Sequence, residues 1–170
     1  MDITADKRTE REVFLPHFKK TIDAGAACIM SAYNSYQGKL CGHNEYLLNQ
    51  VLKKEWGFDG FIMSDFVWGV KDTIEAVNGG QTMEMPNTKY FGEYLVRAVE
   101  TGEVSEEVID DAALRIVRTV LAFDDGQSKA DRKKVGCREH IELALEAARE
   151  GITLIKNDEN ILPLCKKETQ

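Results

Sequence analysis

Asp65 follows a short apolar run, Phe61-Ile62-Met63-Ser64, at the point where a strand of that length should end. Tyr33 and Asn34 come just after a second run, Ala26-Ala27-Cys28-Ile29-Met30, and Glu84 and Met85 lie within a third, Thr82 to Pro86. If the three runs are neighbouring parallel strands, their carboxyl ends gather one carboxylate, one phenol, amides and the aromatic faces of Tyr33 and Phe66, and ligands of parallel α/β sheets bind at those ends. Such a set suits a sugar, whose hydroxyls want bidentate acceptors and whose apolar ring face wants aromatic cover. Residue types and spacing alone leave Asp65 open between that role and the commoner ones of helix cap or salt-bridge partner.

The elements that must position these residues are legible as alternating helical and strand patterns, which predict βα units and a parallel sheet. Thr9 with Glu12 three residues on reads as a capping box, opening a helix that carries Phe14, Phe18 and Ile22 to Gly25, with Pro16 kinking it or shifting its start. A buried strand over 26–30 follows, then a polar loop. Asn44 is placed to cap a helix whose stripe is Leu47, Leu48, Val51 and Leu52, and Gly57 stops it. A third helix is predicted around Lys71–Asn78 with a break at Gly79-Gly80. The runs recur at about thirty and then about twenty residues, a spacing that fits right-handed βαβ units. Past Pro86 two helices are predicted. The second is capped by Ser105 and buries Val108, Ile109, Ala112, Ala113, Ile116, Val117, Val120 and Leu121. From Asp124 to Cys137 the composition turns to Asp, Gly, Ser, Lys and Arg, a linker signature. Beyond it come a helix over 139–150, a strand over 152–155 and the run Ile161-Leu162-Pro163-Leu164.

Bulk composition narrows the classes. The 170 residues are 43% hydrophobic and 30% charged, a globular balance rather than a disordered one. A net charge of −7 argues against nucleic acid or an anionic membrane surface as partner, since both reward a basic face. No run reaches the roughly 18 apolar residues of a transmembrane span. The first residues lack the apolar core of a signal peptide, so a cytoplasmic compartment is slightly favoured, in a chain whose start need not be the natural one. Cys28, Cys41, Cys137 and Cys165 are widely spaced without CxxC or His partners, which predicts reduced thiols and no metal site. No glycine-rich phosphate loop is present, which disfavours a nucleotide-binding α/β domain.

Four motifs in order carry a resemblance: Ile29-Met30-Ser31-Ala32-Tyr33-Asn34; Leu40-Cys41-Gly42-His43-Asn44 with Leu47-Leu48; Trp56 through Asp65; and Met83-Glu84-Met85-Pro86. Together they are similar to the signature of glycoside hydrolase family 3. The stretch Glu150 to Asn157 followed by Leu162-Pro163-Leu164 resembles the start of that family's second domain. The resemblance implies the last three or so βα units of a TIM-like (β/α)8 barrel over residues 1–123, a linker over 124–137 and the opening of an α/β sandwich over 138–170. It implies a retaining β-glucosidase, or a related β-glycosidase, with Asp65 as nucleophile and Met30, Tyr33 and Phe66 lining the sugar site. Retention requires an ionised carboxylate, with a second carboxyl about 5–5.5 Å away to protonate the leaving oxygen. Neither metal nor organic cofactor is implied. The substrate would be a β-glucoside or oligosaccharide, and the partner would be the remainder of the enzyme.

Three departures from the family pattern stand out. Phe66 replaces the usual Trp, with Trp68 two residues on placed to pack locally, and Thr82 replaces a common Asp and so removes a polar contact. The third is the largest. The family's Lys-His pair and its acid/base Glu have no counterpart here. They would lie before residue 1 and after residue 170, and His17, His43, Glu55 and Glu75 read as surface or packing residues instead. Without an acid a glycosidase forfeits roughly 10²–10⁴ in rate, so the isolated chain is expected to be nearly inactive. The alternative is a non-catalytic sugar-binding or assembly protein built on a half-barrel.

Overall fold

The computed structural model describes residues 1–124 and 132–164, in two compact units, Met1–Gly126 and Gln127–Gln170. The first unit is α/β. It starts with β1 (Asp2–Ile3) and α1 (Lys7–Thr9), continues through a π-helical turn, Glu10–Phe14, and enters α2 (Pro16–Asp23). The helical start predicted at Thr9 lies three residues earlier. The Asp6 carboxylate accepts from the Thr9 amide at 2.9 Å, while Glu12 pairs with Arg8 instead of reaching back to a cap. Pro16 stands at the first turn of α2, where its missing N–H costs nothing, and the wider turn before it absorbs the break.

β2 (Cys28–Met30) pairs in parallel with β5 (Phe61–Met63), in the register Ile29 to Ile62. The strand predicted as buried over 26–30 is shorter, and Cys28 and Met30 are exposed, because β5 is its only partner in the described residues. β5 has neighbours on both sides: Met63 also bridges Met83 in parallel, and Ile62 is fully buried. Between the two strands, the residues predicted as a polar loop form β3 (Ser35–Tyr36) and β4 (Lys39–Leu40), an antiparallel hairpin that also pairs with β1. Gln37 and Gly38 both take positive φ at its tip, the geometry a two-residue hairpin needs. The helical stretch Tyr46–Glu55, in the wider π winding, follows the Asn44 cap, and Leu48, Val51 and Leu52 turn inward as the stripe predicts. Leu48, Leu52, Phe58 and Ile62 form one apolar cluster.

α3 (Thr73–Gly79) is capped by Asp72 and ends at Gly80, whose φ of 108° only glycine adopts without strain. α4 (Glu93–Glu100) and α5 (Glu106–Asp124) follow, and a second cluster joins Val77, Ala98 and Val104, with Val108 and Ile109 against it. Of the long stripe predicted as buried on α5, no residue is fully buried: Val108, Ile109, Ala112 and Ile116 are half-buried and Ala113 is exposed. Val117, Val120 and Leu121 are all more than half exposed, as no other described element of this unit covers them.

In the second unit, α6 (Arg138–Gly151) spans the predicted helix. Residues 152–155 are not a strand, and the described residues of this unit contain no strand with which they could pair. Asn157 closes the turn after them by bonding both backbone groups of Leu162 at 3.1 Å. Cys165 and residues 125–131 of the predicted linker lie outside the described residues.

Candidate active site

The carboxyl ends of β2 and β5 and the Met83 bridge lie side by side. Ser31 N–H donates to Met63 O at 2.9 Å and Ser64 N–H donates to Met83 O at 2.8 Å, so the ladder runs on past the strands up to Asp65. Thr82, at the place expected to lack a polar contact, is itself bonded to the strand of Asp65. Its hydroxyl accepts from Ile62 N–H at 2.7 Å and donates to Ile62 O at 2.8 Å. Beside it, the buried Gln81 amide donates to Ile62 O and Met83 O, both at 3.1 Å. Ser64 Oγ accepts from Met85 N–H at 2.9 Å, so the residue before Asp65 is fixed to the third run by both backbone and side chain.

Asp65 itself is half-buried, with its Oδ1 accepting from Phe66 N–H at 2.7 Å. The chain then turns sharply. Val67 takes a φ of 65°, Trp68 N–H closes onto Phe66 O at 2.7 Å, and Val67 N–H donates to Met85 O at 3.1 Å. A β-branched residue in that region costs about 1–3 kcal/mol, held only because the surroundings over-determine it. Gly69 packs directly on the Asp65 backbone, where a Cβ would sit 2.5 Å from the Asp65 carbonyl oxygen.

Tyr33, predicted for the site from the neighbouring strand, comes to it. Its hydroxyl donates to Phe66 O at 2.6 Å. Desolvation, together with the nearby Asp65 carboxylate, holds the phenol above its usual range. Met30, 54% exposed, sits one register step from Asp65's strand opposite Met63, and Phe66 is 50% exposed. Tyr33, Asp65 and Phe66 are thus joined at the strand end, with Met30 at the end of the neighbouring strand. Trp68 does not pack locally: it is 67% exposed, beyond the tight turn that aims it outward.

The other candidates are structural. Asn44 caps the 46–55 helix and donates to Tyr36 O, Asn34 bonds within its own turn, and Glu84 accepts from the Tyr90 and Phe91 amides at 2.7 and 2.8 Å. His17 stacks on Phe18 at the surface, Glu55 pairs with Arg11, and Glu75 faces Lys39 and His43. No cluster of His, Cys, Asp or Glu among the described residues could hold a metal ion, and no described helix is long and apolar enough to cross a membrane.

Two polar features escaped the sequence reading. Glu10, 1% exposed, accepts from the Tyr36 and Tyr46 hydroxyls and from Lys7; these offset its burial and hold its carboxyl below the usual range. His43 is buried, and its Nε2 accepts from Lys71 N–H at 3.1 Å. No pattern in the sequence joins Glu10 to its two tyrosines, 26 and 36 positions away, or His43 to Lys71, 28 positions away.

The family model for the glycosyl hydrolase family 3 N-terminal domain matches residues 2–119. The chain is 36% identical to thermostable β-glucosidase B of Acetivibrio thermocellus over 173 aligned positions, covering 99% of this chain and 22% of that protein. It is 39% identical to a β-glucosidase of Rhizobium radiobacter, with 98% and 20% covered. Among solved structures, a Bifidobacterium adolescentis β-glucosidase aligns at TM-score 0.74 and 31% identity, over 96% of this chain and 24% of that one. β-Glucosidase 3B from Thermotoga neapolitana, solved in complex with glucose, aligns at TM-score 0.72 and 32% identity, with 97% and 24% covered. The chain spans about a fifth of the length of the curated relatives it matches.

Proposed function

The chain belongs to glycosyl hydrolase family 3, and from that premise we propose that it is the nucleophile-bearing part of a retaining β-glucosidase. The observation that carries this reading is the placement of Asp65. Its carboxylate stands at the end of a strand flanked on both sides, close to the Tyr33 hydroxyl that bonds the next residue's carbonyl, with Met30 and Phe66 exposed nearby.

In the proposed reaction an Asp65 oxygen attacks the anomeric carbon of a terminal β-linked glucose. The bond from that carbon to the leaving oxygen breaks as the acid delivers its proton there. Water then attacks the same carbon, giving up a proton to that residue and returning the Asp65 carboxylate. The Tyr33 hydroxyl steadies the nucleophile, and Phe66 and Met30 offer apolar surface to the sugar ring. The acid/base comes from a part of the enzyme outside these 170 residues. Glu84 and Glu10 are unsuited to the role, because their carboxylates are already engaged by backbone amides and by tyrosine hydroxyls respectively. The isolated chain then turns over glucosides slowly or not at all. In the same reading, 1–123 is the last part of a (β/α)8 barrel and 138–170 opens an α/β sandwich, with 124–137 between them.

A fluorinated glucoside inactivator applied to the polypeptide as the cell makes it should esterify Asp65, and Asp65→Asn should lower turnover by on the order of 10⁴-fold or more. Label found on another carboxylate sinks the nucleophile assignment. Sugar binding with no label and no hydrolysis would put the non-catalytic reading in its place.

A further inference from the structure

Beyond the Tyr33 hydroxyl on Phe66 O, the loop from Phe66 to Lys71 is held at two points. One is Val67 N–H on Met85 O, close to the strained turn. The other is Lys71 N–H on His43 Nε2 at 3.1 Å, where the loop enters α3. His43 lies in the short turn Cys41–His43, which is wedged under this loop. An ideal Cβ on Gly42 would stand 2.5 Å from Gly69 O, and one on Gly79 of α3 would stand 2.6 Å from His43 O. Gly69 in turn lies against the Asp65 backbone, so the turn, the loop and the backbone that carries the carboxylate form one continuous stack.

The imidazole cannot move within this stack without exposing the Lys71 amide. Since Nε2 accepts, the neutral ring carries its proton on Nδ1, which faces Glu75 Oε2 at 3.5 Å. Removing the acceptor would orphan a part-buried backbone donor and release the tie at the α3 end of the loop.

We propose that His43 is a positioning residue for Asp65: its neutral Nε2 anchors the loop that follows the nucleophile, and loss of that acceptor by substitution or by protonation slackens the loop and slows reaction at Asp65. This rests on the reading of Asp65 as nucleophile. The charged groups facing His43 are Glu75 and Asp72 from α3 and its cap, and Lys39 from β4. Burial outweighs the two carboxylates and holds the imidazole below its ordinary value of 6.5. The sign follows: the clamp is intact above pH 6.5 and is lost as pH falls through the lowered native value, because a protonated Nε2 meets the Lys71 N–H donor to donor.

The test uses the polypeptide as the cell makes it, as wild type, His43→Leu and His43→Gln. It reads the rate at which a fluorinated glucoside inactivator esterifies Asp65 from about pH 5 to 8, together with hydrogen exchange at the Lys71 amide. Loss of the acceptor in His43→Leu should slow labelling and speed Lys71 exchange, each by about tenfold or more. His43→Gln, whose carbonyl oxygen reaches the place of Nε2, should recover most of both and flatten the acid limb of the wild-type profile. Equal labelling in wild type and His43→Leu overturns the proposal, as does a glutamine variant no better than leucine. Should His43→Leu fail to fold, the His43→Gln profile decides: a flattened limb supports the clamp and an unchanged limb refutes it. Wild type labelled at a different carboxylate removes the nucleophile reading and this inference with it. That result is told apart from a failed clamp because it is read before either variant is made.

Discussion

β2 and β5 are three-residue parallel partners of nearly the same composition, Cys-Ile-Met and Phe-Ile-Met, yet they live in different environments. The central Ile62 of β5 is fully buried, while Ile29 opposite it is only part-buried and both its neighbours are exposed. The difference comes from pairing. β5 is flanked by β2 on one side and by the Met83 bridge, Thr82 and Gln81 on the other, whereas β2 has one described partner. A carboxylate at the end of β5 is therefore attached to a backbone tied from both sides, and catalytic geometry needs that rigidity more than it needs any single contact.

The sharpest way to break this comparison is the matched pair Ile62→Ala and Ile29→Ala. Truncating Ile62 should cost about 2–5 kcal/mol, by opening a cavity in the Leu48, Leu52, Phe58 cluster. Truncating Ile29 should cost about 1 kcal/mol, and equal shifts in denaturation midpoint would mean that the exposure of β2 is not real in solution. Gly69→Ala comes next, at about 1–3 kcal/mol, because the new methyl meets the Asp65 backbone and something must shift. Its inactivator-labelling rate should fall further than its stability does; a rate unchanged from wild type would show that the loop does not hold the nucleophile. Thr82→Val keeps the side-chain shape and removes both bonds to Ile62, for about 1–2 kcal/mol in the same denaturation assay. Cys28→Ser, on the exposed strand, should stay within about 0.5 kcal/mol of wild type, and a larger loss would argue that this edge is covered.

The helices were the most legible part of the fold. The Leu48, Val51 and Leu52 stripe, the Gly57 stop, and the Gly80 ending of α3 follow from periodicity and from backbone conformations that glycine alone adopts cheaply. Strand extents were less legible. A three-residue apolar run is the same string whether it has one neighbour or two, so β2 was over-read as buried and residues 152–155 as a strand. The hairpin over 35–40 was missed because its Gln-Gly tip lacks the Asn or Asp that usually marks such a turn. On α5 the apolar pattern extends well beyond the part that any described element of its unit covers.

By itself the sequence determined that a carboxylate ends an apolar strand, that a phenol and an aromatic ring stand at matching places, and that glycines punctuate the turns between. Those are local properties, set by residue type and short-range spacing. Only the tertiary structure decided that Tyr33 reaches over to Phe66 beside Asp65, that Thr82 and Gln81 lock the strand that ends at Asp65, and that His43 lies buried under the loop with Lys71. Each of these depends on which segments pack together across some twenty to thirty residues of chain, a choice made by the burial of whole faces and by the need to pair every buried polar group.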